Sequence, residues 1–163
     1  MKITPATTAD CATIRAIAEQ TFPLTYVEIL TPEQIDYMMD WMYSLPNIEQ
    51  QMRDGHHFLL AADAEPCGYV SFNREADGVW HIQKLYVLPS QQGSGLGRTL
   101  FEAAVSEIRR LDPDAREVRL NVNRHNRALG FYERLGMRIA DSGDFDIGDG
   151  YYMNDYIMSL ALE

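Results

Sequence analysis

The stretch "LPSQQGSGLGRTLFEAAVSEI", Leu88 to Ile108, decides how the rest of the chain is read. It follows the apolar run Leu85-Tyr86-Val87-Leu88 and leads into residues with helical apolar spacing, Leu96, Leu100, Ala104, Ile108 and Leu111. Gly93, Gly95 and Gly97 alternate at that strand-to-helix junction. The first turn of a helix carries N–H groups without intrahelical partners and the positive end of the helix dipole. Residues without a Cβ let a bulky anion approach those donors. A tight turn needing positive φ would account for one or two of the glycines, and the three together point to a phosphate cradle.

Two common phosphate loops are excluded by spacing. A Walker loop ends in Lys-Ser/Thr after four intervening residues, whereas Arg98-Thr99 follows Gly97 here. A dinucleotide fingerprint is G-x-G-x-x-G, and Arg98 stands where its third glycine belongs.

On either side of this junction the pattern is orderly. "MKITPAT" opens as a strand, and Thr8 is expected to cap a helix running to about Thr21, followed by the linker "PLTYVEIL". Thr31, Pro32 and Gln34 predict a capping box for a second helix, whose Ile35, Met38, Met39 and Met42 form a core stripe. "LPNIEQQMRDG" reads as a third helix closed by Gly55. "HHFLLAAD" and "CGYVSFNRE" predict a hairpin, and "GVWHIQKLYVL" a longer strand placing His81, Gln83, Leu85 and Val87 on one face. "EVRLNVN" reads as a strand, Asn126 to about Leu135 as a helix, and "MRIA" and "YYMNDYIMSLAL" as strands around a turn-rich "DSGDFDIGDG". The order β-α-α-α-β-β-β-α-β-α-β-β predicts one α/β domain over residues 1–163, a mixed sheet flanked by helices with a parallel pair at its centre.

Composition narrows the function. The formal charge of -10 argues against nucleic acid as a partner and suits a cationic substrate. No apolar run reaches the roughly 18–20 residues that span a bilayer, and "MKITPATTAD" has no apolar signal core, so a cytoplasmic location without a membrane partner is expected. Cys11 and Cys67 make no metal-ligand spacing with the histidines and are expected as small buried hydrophobes, with no metal. The terminal Leu162-Glu163 pair carries no signal for function.

The pattern that fits the loop is Gln-x-x-Gly-x-Gly, at Gln92, Gly95 and Gly97, and a second segment, "LNVNRHNRALGFYERLGM" from Leu120 to Met137, accompanies it. Together they resemble the acetyl-CoA pyrophosphate loop and the later motif of the GCN5-related N-acetyltransferases. The resemblance covers about Val79 to Leu162; the first 55 residues match only in helix order. It implies the acyl-CoA N-acyltransferase fold, in which "GVWHIQKLYV" and "EVRLNV" splay apart within a mostly antiparallel sheet.

The same resemblance implies acetyl-CoA as cosubstrate, held by the main chain of Leu85, Tyr86 and Val87 and by Gln92, Gly93, Ser94, Gly95, Leu96, Gly97 and Arg98. An N–H near Tyr86 or Val87 would polarise the thioester carbonyl. Asn126 matches the asparagine that reaches the pantetheine and is also a favoured helix cap. Tyr132 matches the general acid aimed at the departing sulfur. The family's usual glutamate base is missing between Val79 and Pro89, which leaves His81 as the candidate, with Glu28, Tyr26 and Asp155 as alternatives. Phe22, Tyr26, Glu28 and Trp41 are expected around the acceptor, where aromatic faces and carboxylates suit an alkylammonium. The arrangement resembles polyamine acetyltransferases of the family; a protein N-terminus or lysine, an amino-acid-like amine or an aminoglycoside are the other acceptors. A sensor that binds acyl-CoA without turning it over, and an interaction domain with relic motifs, are the rival readings. A homodimer is a further expectation, since relatives are often dimers.

Overall fold

The computed structural model describes residues 1–162, so that of the terminal pair Glu163 lies outside the described residues. Its strands are β1 (Lys2–Pro5), β2 (His57–Ala62), β3 (Pro66–Ala76), β4 (Val79–Val87), β5 (Glu117–Asn123), β6 (Arg138–Gly148) and β7 (Tyr151–Ala161). Its helices are α1 (Cys11–Tyr26), α2 (Pro32–Tyr43), α3 (Leu45–Arg53), α4 (Leu96–Leu111) and α5 (Ala128–Arg134). All strands join one sheet in the order β1-β2-β3-β4-β5-β7-β6. Every neighbouring pair is antiparallel except β4 with β5.

The two faces of the sheet carry separate cores. On one face α4 and α5 cover Trp80, Ile82 and Val87 of β4 and Val118, Leu120 and Val122 of β5. Leu100, Ala104 and Ile108 of α4 are fully buried there, as the helical stripe predicts, while Leu111 lies outside it. A buried leucine or isoleucine contributes roughly 1.5–3 kcal/mol, so this stripe fixes how α4 lies on the sheet. On the other face α1, α2 and α3 cover Phe58, Tyr69, Tyr86 and Met153. Cys11 and Cys67 are both free and buried.

The predicted capping box at α2 is present: Gln34 N–H donates to Thr31 Oγ1 at 3.2 Å, and Thr31 N–H donates to Gln34 Oε1 at 2.9 Å. Ile35 and Met38 of the methionine stripe are buried in the core. Gly55, at φ 97°, follows α3 as the glycine signal predicts.

Several boundaries differ from the sequence reading. Thr7, and not Thr8, is the first cap, on a 3-10 turn leading into α1. The expected linker after Thr21 is helical to Tyr26, through Pro23. Proline removes one helix bond, but Phe22 and Tyr26 lie on the buried side of α1 with ring centroids 4.7 Å apart, and that packing carries the helix onward. α5 begins at Ala128 rather than Asn126. The "DSGDFDIGDG" segment is mostly strand, paired with β7 from Asp141 to Gly148; the turn signals act only at Gly148, Asp149 and Gly150, all at positive φ. α2 braces that turn, since Tyr37 Oη donates to the Ile147 carbonyl at 3.0 Å.

Candidate active site

β4 and β5 pair only from Val79–Glu117 to Ile82–Leu120. Beyond that, β5 continues as Asn121, Val122 and Asn123 against β7 alone, and β4 continues against β3 alone. A bulge initiates the parting: Ser71 of β3 pairs with Lys84 and Phe72 with Ile82, so Gln83 has no partner across the ladder. One extra residue also exchanges the faces beyond it. Trp80, Ile82, Leu85 and Val87 therefore meet the α4 side, while Lys84 and Tyr86 meet the α1 side. The sequence expectation that His81 shares a face with Leu85 and Val87 is corrected by this bulge. Leu88 N–H donates to the Cys67 carbonyl, so by strand alternation Tyr86 turns its main-chain groups to β3, and Leu85 and Val87 turn theirs into the split.

The glycine segment stands at the mouth of this split. Gly93 and Gly95 have φ of 84° and 85°, and Gly95 caps α4 in the left-handed conformation. A Cβ on either would meet nothing within 4 Å, so their surroundings are open. Gly97 has a different reason: a Cβ there would stand 3.3 Å from the Phe131 ring. The first bond into α4 is Thr99 N–H to the Gly95 carbonyl, and the amides of Gly95, Leu96, Gly97 and Arg98 have no acceptor among the described residues. These bare amides fit an anionic group of pyrophosphate size. Gln92 donates to the Val87 carbonyl at 3.3 Å, tying the loop to the strand. Ser94 donates to the Gln91 carbonyl, and Arg98 pairs with Glu102 at 2.9 Å.

The cleft that runs from this loop through the split encloses about 1060 Å³. Leu85, Tyr86, Val87, Gln92, Gly93, Gly95, Leu96, Gly97, Arg98, Asn126 and Tyr132 all line it, and Ser94 does not. Asn126 Oδ1 accepts Ala128 N–H at 2.9 Å, which uses its acceptor in starting α5, while its side chain also reaches the Tyr26 phenol in the cleft wall. Tyr132 is packed edge-on against Phe131, centroids 5.1 Å apart, and is nearly buried. Burial, and Tyr26 beside it, hold the Tyr132 phenol well above its usual range, so it keeps its proton and can only donate at neutral pH.

Of the residues expected around the acceptor, Tyr26 and Glu28 line the cleft. Tyr26 is packed so that desolvation and the nearby Asp155 push its phenol up to about 12. Glu28 is exposed, 3.9 Å from Arg127. Phe22 is instead a core residue, 1% exposed between the Tyr26, Tyr43 and Tyr86 rings. Trp41 stacks on Tyr37 at the surface, 48% exposed, and does not line the cleft. His81 is likewise behind the closed part of the sheet, with Nδ1 3.3 Å from Glu75, and burial lowers its pKa. Helical spacing and strand alternation gave no means of separating these from cleft residues.

Sequence reasoning missed Lys84. It lines the cleft while its ammonium reaches inward, 2.5 Å from Gln51 Oε1 and over the Tyr43 and Phe58 rings. A lysine in a strand ordinarily signals solvent, but both faces of β4 are covered here, and the bulge at Gln83 turns this one from the α4 face to the α1 face.

The acetyltransferase (GNAT) family model matches residues 14–137, and the chain belongs to that family. It is 31% identical over 156 residues to an uncharacterized N-acetyltransferase of Mycobacterium tuberculosis, covering 94% of this chain and 98% of the relative. A peptidyl-lysine N-acetyltransferase of Escherichia coli, YjaB, is 30% identical over 83 residues, half of this chain and 48% of its own. The crystal structure of the PaiA N-acetyltransferase from Thermoplasma acidophilum in complex with coenzyme A superposes with a TM-score of 0.82 at 23% identity, covering 99% of this chain and all of that one. The chain is accordingly an acetyl-CoA-dependent N-acetyltransferase with the family's fold. Among the described residues, no helix is long and apolar enough to cross a membrane.

Two substitutions check this geometry. Gly95→Ala and Gly55→Ala both force a side chain onto positive φ in open surroundings, and each should cost about 1–2 kcal/mol in urea denaturation. Only Gly95→Ala should weaken coenzyme A binding in calorimetry, by about tenfold or more; equal affinities would remove the loop from the binding site. Burial holds the Lys84 ammonium down to about 7, so between that value and the ordinary 10.4 the unfolded chain carries a proton that the folded chain lacks. Wild-type stability therefore gains with pH over that window. Lys84→Met should raise Tm relative to wild type most at pH 6 and least near pH 10; a pH-independent difference would contradict the assignment.

Proposed function

We propose that this protein moves the acetyl group of acetyl-CoA to a primary amine of a small, polyamine-like molecule, by direct attack while both substrates are bound. The observation that carries the reading is that one cleft passes through the sheet at the β4–β5 split. The glycine loop and its bare amides stand at one end, and Tyr26 and Glu28 at the other. A phosphate-bearing donor and a cationic acceptor can thus approach each other from opposite faces.

Acetyl-CoA supplies the thioester. The N–H groups of Gly95 to Arg98 hold its pyrophosphate, and the uncovered edges of Leu85–Val87 and Asn121–Asn123 pair with its extended arm as an added strand. Asn126 donates to the same arm. The Val87 or Leu85 N–H stabilises negative charge as it develops on the carbonyl oxygen, in a site where little water screens it. Tyr132 gives its proton to the departing sulfur. A free thiol titrates near 8.5 and a phenol near 10, and the desolvation that raises Tyr132 raises a thiolate beside it too, so the transfer stays nearly balanced.

The net charge of -10 and the Tyr26 and Glu28 side chains favour a cationic acceptor. We place the reaction in the cytoplasm, with which two free buried cysteines agree. A second reading, acetylation of a protein lysine, draws support from Leu24 and Val27, 63% and 64% exposed at the cleft mouth, where a peptide could rest. YjaB, by its name, acts on peptidyl-lysine.

Thiol release from acetyl-CoA, measured across polyamines, amino-acid amines and lysine peptides, tests the assignment. Polyamines should give the highest kcat/KM, and a preference for lysine peptides would select the second reading. Tyr132→Phe should lower kcat by roughly 10²–10⁴-fold with coenzyme A affinity unchanged. Equal kcat values would take Tyr132 out of the mechanism.

A further inference from the structure

The cations of this chain are unevenly placed. No lysine or arginine stands between Arg15 and Arg53, a segment that contains all of α2, and none follows Arg138. These two cation-free stretches meet where α2 packs on the turn between β6 and β7. Tyr37 Oη donates to the Ile147 carbonyl at 3.0 Å, and the Tyr37 ring stands edge-on to Tyr151, centroids 5.3 Å apart. On its other side Tyr37 stacks with Trp41, centroids 6.4 Å apart and planes 20° from parallel. The three rings form a ledge outside the cleft, with Tyr151 and Tyr37 half-buried and Trp41 exposed.

The carboxylates beside the ledge go against local preference. Glu33, Asp36, Tyr37, Asp40 and Trp41 recur at spacings of three and four, which puts them on one side of α2. The three acids are exposed, and none forms an ion pair among the described residues. Arg15 and Arg53, which bound the segment, pair with Glu19 and Glu49 instead. Glu33 lies in the first turn, where the helix dipole favours it. Asp36 and Asp40 repel one another four residues apart, and Asp40 stands in the last turn, at the negative end of the dipole. The turn packed against α2 adds the exposed Asp149.

An exposed indole in a ring stack, edged by uncompensated carboxylates, suits a cation held by ring face and charge together. The ledge is also fixed in advance, Tyr37 by the Ile147 carbonyl and the end of α2 by Asn47, whose Nδ2 donates to the Trp41 carbonyl at 2.7 Å. Little ordering is therefore lost on binding. Val27, Glu28 and Ile29 of the cleft mouth lead directly to α2, so the ledge continues from the acceptor side of the cleft.

We infer that this ledge docks a basic, arginine-bearing segment of a partner protein. A flat indole face suits the planar guanidinium better than an ammonium. From Glu33 to Trp41 the helix rises about 12 Å. An extended chain covers that distance in roughly four residues, so arginines at alternate positions reach the carboxylates and the ring together. The surface lies outside the cleft, and the inference goes beyond the transferase reading without depending on it.

Calorimetric titration of the full-length protein with a short peptide of alternating arginine and glycine tests this, with the glutamate analogue and a triamine for comparison. The arginine peptide should bind at least about tenfold more tightly than either, and added salt should weaken it. Trp41→Ala, and separately Asp36→Asn combined with Asp40→Asn, should each weaken the peptide by about tenfold and leave coenzyme A affinity unchanged. The asparagine pair keeps the shape of the surface and so keeps the test open if Trp41→Ala unsettles α2. Equal affinity for the glutamate peptide, or an arginine-peptide affinity that neither variant changes, would overturn the inference. A triamine as tight as the peptide and equally sensitive to the variants would make the ledge a small-cation site and overturn it too. So would light scattering that showed the protein dimerising through Trp41, since a second copy would then be the occupant. None of these measurements uses turnover, so failure here leaves the transferase reading standing, and a protein that released no thiol would leave the ledge untouched.

Discussion

Backbone pairing between two parallel strands ends at Ile82 and Leu120, and the site is assembled from what that interruption leaves uncovered. A sheet interior ordinarily satisfies each N–H and C=O through its neighbours, and an internal gap is costly unless something fills it. Here the main chains of β4 beyond Gln83 and of β5 beyond Leu120 face one another across a cleft instead of a ladder. An extended, amide-bearing arm is the kind of molecule that completes such a gap. The helix that follows β4 presents its own unpaired amides at the same opening. Both halves of the site thus draw on one resource, main-chain donors withheld from secondary structure.

This explains why the glycine loop was legible in the sequence. The cradle depends on conformations that only glycine adopts readily, so Gly93 and Gly95 announce it by residue type, at a junction where strand spacing changes to helix spacing. The order of elements was legible for a related reason, since caps and apolar periods are local. The Thr31–Gln34 box and the Leu100–Ile108 stripe needed no tertiary information.

What escaped the sequence depends on long-range packing. The bulge at Gln83 arises from β3 pairing and leaves no mark in an alternating string, yet it decides that Lys84 turns to the α1 face and that His81 shares no face with Leu85 and Val87. Pro23 looks like a stop, but the Phe22–Tyr26 contact carries α1 past it and delivers Tyr26 to the cleft. "DSGDFDIGDG" reads as a loop by composition, while its pairing with β7 makes most of it strand. Aromatic residues at helical spacing in the first half of the chain divide into core, surface and cleft only once the second core is formed, as Phe22, Trp41 and Tyr26 show.

The two faces of the sheet divide the chemistry. The α4 face holds the anion by main chain, and the α1 face gathers phenols and a carboxylate whose ionisation burial controls. The central claim is that the amides of Gly95 to Arg98 grip a pyrophosphate, and calorimetric titration with coenzyme A and with pantetheine, which lacks that group, tests it most directly. Hydrogen bonds to a charged acceptor contribute about 1.5–3 kcal/mol each, so coenzyme A should bind at least about 100-fold more tightly than pantetheine. Equal affinities, or no binding of coenzyme A at all, would contradict the account.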